Sequence, residues 1–206
     1  MWTLSTILHL VLALIAAEVA GRTFSYSPDG IDKTGVTKQR LRRECPNEPS
    51  WCHSQATMGA CRMAINQFTD FCPCSCETSD MLRARTCCET LMSEKRIQCA
   101  ELCRYDVTPS LLSLYMPACV EELPTVLYCA ADMQDATSCC RTHRVSQECR
   151  ALCNGRRLNN CHVPKMDTCA RKYMPIISRC MQSRLTGDAH WNPSWRNCNS
   201  FKNFLS

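Results

Sequence analysis

The tightest constraint on this chain is a set of cysteines that occurs twice. The first set runs Cys87-Cys88, ten residues, Cys99, three, Cys103, fifteen, Cys119, nine, Cys129. The second runs Cys139-Cys140, eight residues, Cys149, three, Cys153, fifteen, Cys169, ten, Cys180. Other residues repeat with them: Leu102 and Leu152 each precede a cysteine, and Pro124 and Pro175 each stand five before the last one. Self-similarity at an offset of about fifty residues marks a duplicated structural unit, 87–129 followed by 139–180.

Whether those thiols are ligands or cross-links depends on the compartment. Cysteine makes up 20 of the 206 residues, a density that means metal sites in a reducing cytosol and disulfides in a secreted chain. The N-terminus points to secretion. Leu4 to Ala17 is an apolar run shorter than the roughly 20 residues a bilayer-spanning helix needs, and it ends in small residues. Residues 1–17 are therefore expected to be a signal peptide, with residue 21 as the alternative end. No second apolar run follows, and the tail 181–206 is polar and aromatic, so neither a membrane span nor a lipid-anchor signal is expected.

Residues 18–43 hold no cysteine, and 22–43 show no helical or strand period, so this stretch is expected to be disordered. It ends in Arg40-Leu41-Arg42-Arg43, directly before Glu44-Cys45. The pattern Arg-x-Arg-Arg resembles the site read by furin-type proprotein convertases, and exposed chain beside a folded module is where such proteases cut. Residues 18–43 are thus a candidate propeptide with Arg40, Arg42 and Arg43 as processing residues; the plain alternative is a solvated basic linker. Removing residues 1–43 takes away 6 of 24 Lys and Arg and 3 of 19 Asp and Glu, leaving net +2. That is too small to argue for nucleic acid or an anionic membrane as partner.

Local physics favours helices throughout the repeat. Cys99 and Cys103, like Cys149 and Cys153, stand four apart, which on an α-helix puts both sulfurs on one face. Thr108-Pro109 supplies an N-cap residue and Pro at the first helical position, and Leu111, Leu112, Tyr115 and Cys119 follow at helical spacing. Pro124 and Pro175 predict a bent or restarted helix at the end of each repeat. Adjacent cysteines are not expected to bond each other, because an unstrained disulfide spans Cα atoms about 4.4–6.8 Å apart. Each doublet would instead tie one helix to two neighbours. The expected fold is small, disulfide-rich and mainly α: an internally duplicated bundle of short helices cross-linked by disulfides and preceded by a small cysteine-rich module.

That module spans 44–78 and carries Cys45, Cys52, Cys61, Cys72, Cys74 and Cys76. Its early gaps, Gly59-Ala60-Cys61 and Cys72-Pro73 resemble the ShK-type six-cysteine modules of nematode secreted proteins, although its last three cysteines are each one residue apart instead of three and two. Channel-blocking relatives carry Lys-Tyr between their third and fourth cysteines; residues 62–71 here hold neither. The twelve cysteines of 87–180 resemble the nematode DB module, an extracellular domain defined by its cysteines and without an agreed activity. A looser similarity is to the helical, disulfide-rich binding domains of the GDNF-receptor-alpha type, which are non-catalytic.

Catalysis is not expected. Cys139-Cys140-Arg141-Thr142-His143 resembles the opening of the secreted phospholipase A2 signature. That chemistry needs an Asp after the His, a Cys three beyond it and a Gly-rich calcium loop; here Arg144 and Ser146 stand in those places. The first-repeat counterpart of His143 is Leu91. His53, His162 and His190 have neither metal-ligand spacing nor a Ser or Cys partner, and no cofactor or metal is expected. For partners, Trp191 and Trp195 are candidate contact residues, against the commoner case of tryptophans covering a core edge. Arg141, Arg144, Arg150, Arg156 and Arg157 make the second repeat basic, which suits an acidic glycan, a solvated face being the commoner meaning. No Asn-x-Ser/Thr acceptor occurs. The reading is a secreted, non-catalytic extracellular binding protein that presents a disulfide-stapled helical surface to a protein receptor, ligand or matrix component. The alternative is a small secreted effector or channel modulator acting through the ShK-like segment.

Six cysteines belong to the first module and twelve to the repeat, which leaves Cys161 and Cys198 of the 20. Two leftovers in a secreted chain most simply pair with each other. Peptide mapping of unreduced protein should link the Cys161 peptide to the Cys198 peptide; a covalent dimer on a non-reducing gel would overturn the assignment.

Overall fold

One helix is apolar on every side, and the other elements cover it. In the computed structural model, which describes residues 36–62, 67–158 and 166–196, every residue from Leu123 to Ala131 is buried. A helix hydrophobic all round belongs in the interior of a bundle. We number the α-helices in chain order: α1 Lys38–Glu44, α2 Ser50–Thr57, α3 Gln67–Phe71, α4 Pro73–Leu91, α5 Pro109–Cys119, α6 Leu123–Ala131, α7 Thr137–Thr142 and α8 Met166–Gln182. Between them lie 3₁₀ turns at Ala60–Arg62, Glu94–Leu102, Val120–Glu122, Gln147–Cys153 and Gly155–Arg157. Helix α6 packs against α4 and α8. Among the described residues the only β pairing is the single bridge Asp135–Asn154. The expected mainly α, disulfide-rich fold is what the chain adopts.

The two repeats share one disulfide connectivity. In the first, Cys87 bonds Cys129, Cys88 bonds Cys103 and Cys99 bonds Cys119. In the second, Cys139 bonds Cys180, Cys140 bonds Cys153 and Cys149 bonds Cys169. Neither doublet bonds internally, and each ties its helix to two different neighbours. The Cys-x-x-x-Cys segments, however, are 3₁₀ and not α. Residues four apart differ by about 40° of rotation in an α-helix but by about 120° in a 3₁₀-helix. The two sulfurs therefore diverge: Cys103 turns back to α4 while Cys99 reaches α5.

Thr108 caps α5 as expected, its hydroxyl accepting the Leu111 N–H at 3.2 Å, with Pro109 in the first turn. Pro124 likewise opens a new helix, α6, after the 3₁₀ turn Val120–Glu122. Pro175 behaves differently, because α8 runs through it unbroken. An interior proline costs a helix roughly 3 kcal/mol. Here the helix is pinned on both sides by Cys169 and Cys180 and buries Ala170, Met174, Ile177 and Met181, which offsets that cost.

The repeat linker is fixed by a glycine. Asp135 pairs with Asn154, with Ala136 N–H donating to the Cys153 carbonyl at 2.8 Å and Gly155 N–H to Gln134 at 2.9 Å. A Cβ on Gly155 would stand 2.5 Å from Ala131 Cβ and 2.7 Å from the Gln134 carbonyl oxygen. No other residue fits without moving backbone.

The N-terminal cysteines form their own bracket, Cys45–Cys74, Cys52–Cys72 and Cys61–Cys76. Cys72 does not cap α4 with its side chain. Glu48 does so from a distance, its carboxylate accepting from Cys74 N at 2.7 Å and Ser75 N at 3.0 Å. A negative charge at a helix N-terminus is favourable against the dipole. Helix α4 then continues without a break from Cys74 and Cys76 to Cys87 and Cys88, so one helix joins the segments 44–78 and 87–180.

Two further expectations are corrected. The end of the 18–43 stretch is not disordered: α1 begins at Lys38, capped by Thr37, and Leu41 is 0% exposed in a small core with Val36, Ala56 and Leu82. Its single apolar side chain among four cations and a Gln carried too little periodicity to show this. Nor is the C-terminal segment an appended tail, since Leu185, Trp191 and Trp195 are buried in the main core. Cys161, Cys198, the Arg157 side chain and the 1–17 segment lie outside the described residues.

A convertase needs its basic site in extended chain, whereas Arg40 to Arg43 are helical around a buried leucine. Oxidised protein should therefore stay intact after Arg43 when incubated with a furin-type convertase. Leu41→Asp, which cannot remain in that core, should be cut there; equal cutting of both would show that the helix gives no protection.

Candidate binding surface

Buried charge lies where α4, α6 and the C-terminal segment meet. Asp132 ends α6 in the left-handed region (φ 46°), which Asp tolerates better than most residues. Its carboxylate is 1% exposed. Arg83 of α4 pairs with it, and the same guanidinium donates to the Thr186 carbonyl at 2.6 Å and the Asp188 carbonyl at 2.5 Å. The other Asp132 oxygen accepts His190 N–H at 2.7 Å and Trp191 N–H at 2.9 Å. Next to this, Asp80 pairs with Arg62 and accepts from Gln182 Nε2 at 3.0 Å. Burial pushes the Asp80 carboxyl above its ordinary value, outweighing the pull of Arg62. A raised carboxylate contributes stability below about pH 3.8 that is lost as pH rises through the folded value. Tyr105, donating to the Ala130 carbonyl at 3.0 Å, is likewise pushed up by burial.

Of these groups Arg62, Asp80 and Arg83 line a shallow cleft with Ala56, Gly59 and Gly187. The Asp80 carboxylate there is already held by Arg62 and Gln182, and Arg83 by Asp132 and the 186 and 188 carbonyls, so these contacts brace segments far apart in sequence.

The sequence-derived candidates separate clearly. The eighteen cysteines of the described residues all enter disulfides, with Cα separations of 5.4–6.5 Å. Trp191 and Trp195 are 0% and 9% exposed and offer no contact face. Trp195 stacks on Tyr128 at 4.3 Å, and the Tyr128 hydroxyl accepts the Asn192 N–H at 2.8 Å. The core, not a partner, uses them. His143 is exposed, and its Nδ1 lies 3.0 Å from the Cys139 carbonyl oxygen, beside the Cys139–Cys180 bond. Two groups bring three ligand-type side chains together, Cys139 with His143 and Cys180, and Glu48 with Cys52 and Cys72. In both, the two sulfurs are bonded to each other, and a thiolate site needs them free.

What sequence reasoning missed is an aromatic cluster on the N-terminal bracket. Trp51 of α2 meets Phe68 of α3 edge-on at 5.8 Å, and Phe71 follows Phe68 by three residues on the same short helix. Trp51 is 49% and Phe71 69% exposed. The Cys52–Cys72 bond, one residue from each, fixes the two helices together. Phe-x-x-Phe beside a cysteine was a legible signal; that Trp51 joins it depends on the disulfide.

A duplicated disulfide frame of short helices defines a small all-α, disulfide-rich domain. Among the described residues no helix is long and apolar enough to cross a membrane. Residues 87–181 match the family model of the DB module, a disulfide-rich extracellular domain type. No curated protein and no solved structure matches the chain.

Breaking a buried ion pair from one side leaves the other charge uncompensated, at a cost of about 3–5 kcal/mol. Asp132→Ala should therefore lose about that much stability in urea unfolding, and a loss near zero would mean that the Arg83–Asp132 pair is not desolvated.

Proposed function

We propose that the protein is secreted and non-catalytic, and that it docks an extracellular protein partner through the Trp51, Phe68 and Phe71 cluster. The observation that carries this is rigid aromatic exposure. Two large rings stand about half or more in solvent on helices that a disulfide holds in place. Aromatic anchors of this kind dominate protein contacts, and a stapled frame reduces the ordering cost of binding. The six-cysteine bracket that bears them is the segment resembling ShK-type modules, so a channel or receptor modulator is the second reading, and it uses the same residues.

Deleting 44–76 would cut α4 and expose Leu82, so point variants are the better test. In cross-linking to extracellular or cell-surface proteins, Phe71→Glu should abolish the wild-type adduct, while Leu114→Glu, at a residue 71% exposed on α5, should leave it. The opposite pattern would place the contact on the first repeat and reject this reading.

A further inference from the structure

The two repeats share a disulfide frame but carry opposite charge. Residues 87–129 hold three Lys and Arg against six Asp and Glu, net −3; residues 139–180 hold nine against two, net +7. Their pairing differs as well. In the first repeat Arg96 pairs with Glu121 at 2.8 Å, and Arg104 pairs with Asp106. In the second, Arg141, Arg144, Arg171, Lys172 and Arg179 are all exposed, and none enters an ion pair among the described residues. Glu148 and Asp167 are the two acids of that stretch.

The fold gathers these cations. Lys172 and Arg179 stand seven apart on α8, two turns along one stripe, about 10 Å at 1.5 Å per residue. Arg171 lies on the edge of the same solvent face, away from the buried Cys169, Ala170, Met174 and Ile177. The Cys139–Cys180 bond lays α7 beside the end of α8 with a Cα separation of 5.6 Å, next to Arg179. Arg141 and Arg144 project from α7 and the turn after it. Tyr173 stands beside them on α8, with Lys172 Nζ 5.0 Å from its ring centre. Hydrogen bonding with Lys172, then with Ser146, holds its phenol below the ordinary value.

We infer that this α7–α8 face is a binding site for a linear sulfated polysaccharide. Four of the five cations are arginines, whose planar fork matches an oxyanion bidentately. An elongated stripe suits a chain better than a single anion. A lipid surface fits less well, because interfacial binding joins basic residues to apolar ones. Among the described residues the exposed large apolar side chains, Trp51, Met58, Phe71, Ile97, Leu114 and Val120, all lie outside this repeat. The site is independent of the aromatic cluster, so either assignment stands if the other fails.

The test uses full-length oxidised protein on immobilised heparin, with chemically desulfated heparin and phosphatidylserine vesicles in parallel. Wild type should be retained above 0.15 M salt, about physiological strength, and released by desulfation. Arg141→Gln/Arg144→Gln/Arg179→Gln should lose roughly 10- to 100-fold in affinity with a shallower salt dependence. Lys95→Gln, an exposed cation of the first repeat, should bind as wild type. Far-UV spectra check folding, and Arg171→Gln/Lys172→Gln serves as the second variant should the first misfold. Release below physiological salt, equal binding by the variants, indifference to sulfation, or loss from vesicles but not from heparin would each overturn the assignment.

Discussion

A carboxylate buried at the C-terminus of a helix is in an unfavourable place, since the dipole there is already negative. Asp132 occupies that place, and two segments, α4 and residues 186–191, converge to offset it. Arg83 comes from α4, two backbone N–H groups come from residues 190 and 191, and the same guanidinium donates to the carbonyls of Thr186 and Asp188. Fastening the 186–191 strap in this way buries Trp191, brings Trp195 over Tyr128 and closes the core around α6. The strap also approaches the N-terminal bracket, where Gly59 (φ +78°) faces Gly187 closely enough that a Cβ on Gly59 would touch it at 3.4 Å. One ionic junction thus connects bracket, repeat and C-terminal segment.

Duplication has preserved the frame and released the surface. Both repeats keep the connectivity first-to-sixth, second-to-fourth and third-to-fifth. Within it the first repeat splits its last stretch into α5 and α6 and sends α6 to the centre, whereas the second keeps one amphipathic helix, α8, with a solvent face. Cross-links that fix helix ends make the frame tolerant of such change, because stability no longer depends on every apolar contact. Charge could then diverge, net −3 in one repeat and net +7 in the other.

The sequence by itself determined much of the framework. The doubled cysteine order announced the repeat, the strain of bonding adjacent cysteines sent each doublet to two neighbours, and Thr108-Pro109 marked the start of α5. These are local or covalent constraints, readable from spacing. The 3₁₀ form of the Cys-x-x-x-Cys segments was not readable, since it follows from two sulfurs having partners on different helices. Likewise α1 forms because Leu41 finds Val36, Ala56 and Leu82, and its own seven residues carry no such signal. Tertiary packing alone decided that Trp191 and Trp195 serve the core, that Trp51, Phe68 and Phe71 stand outside together, and that α7 lies beside α8. Each depends on contacts between residues far apart in the chain, and local spacing holds no information about those.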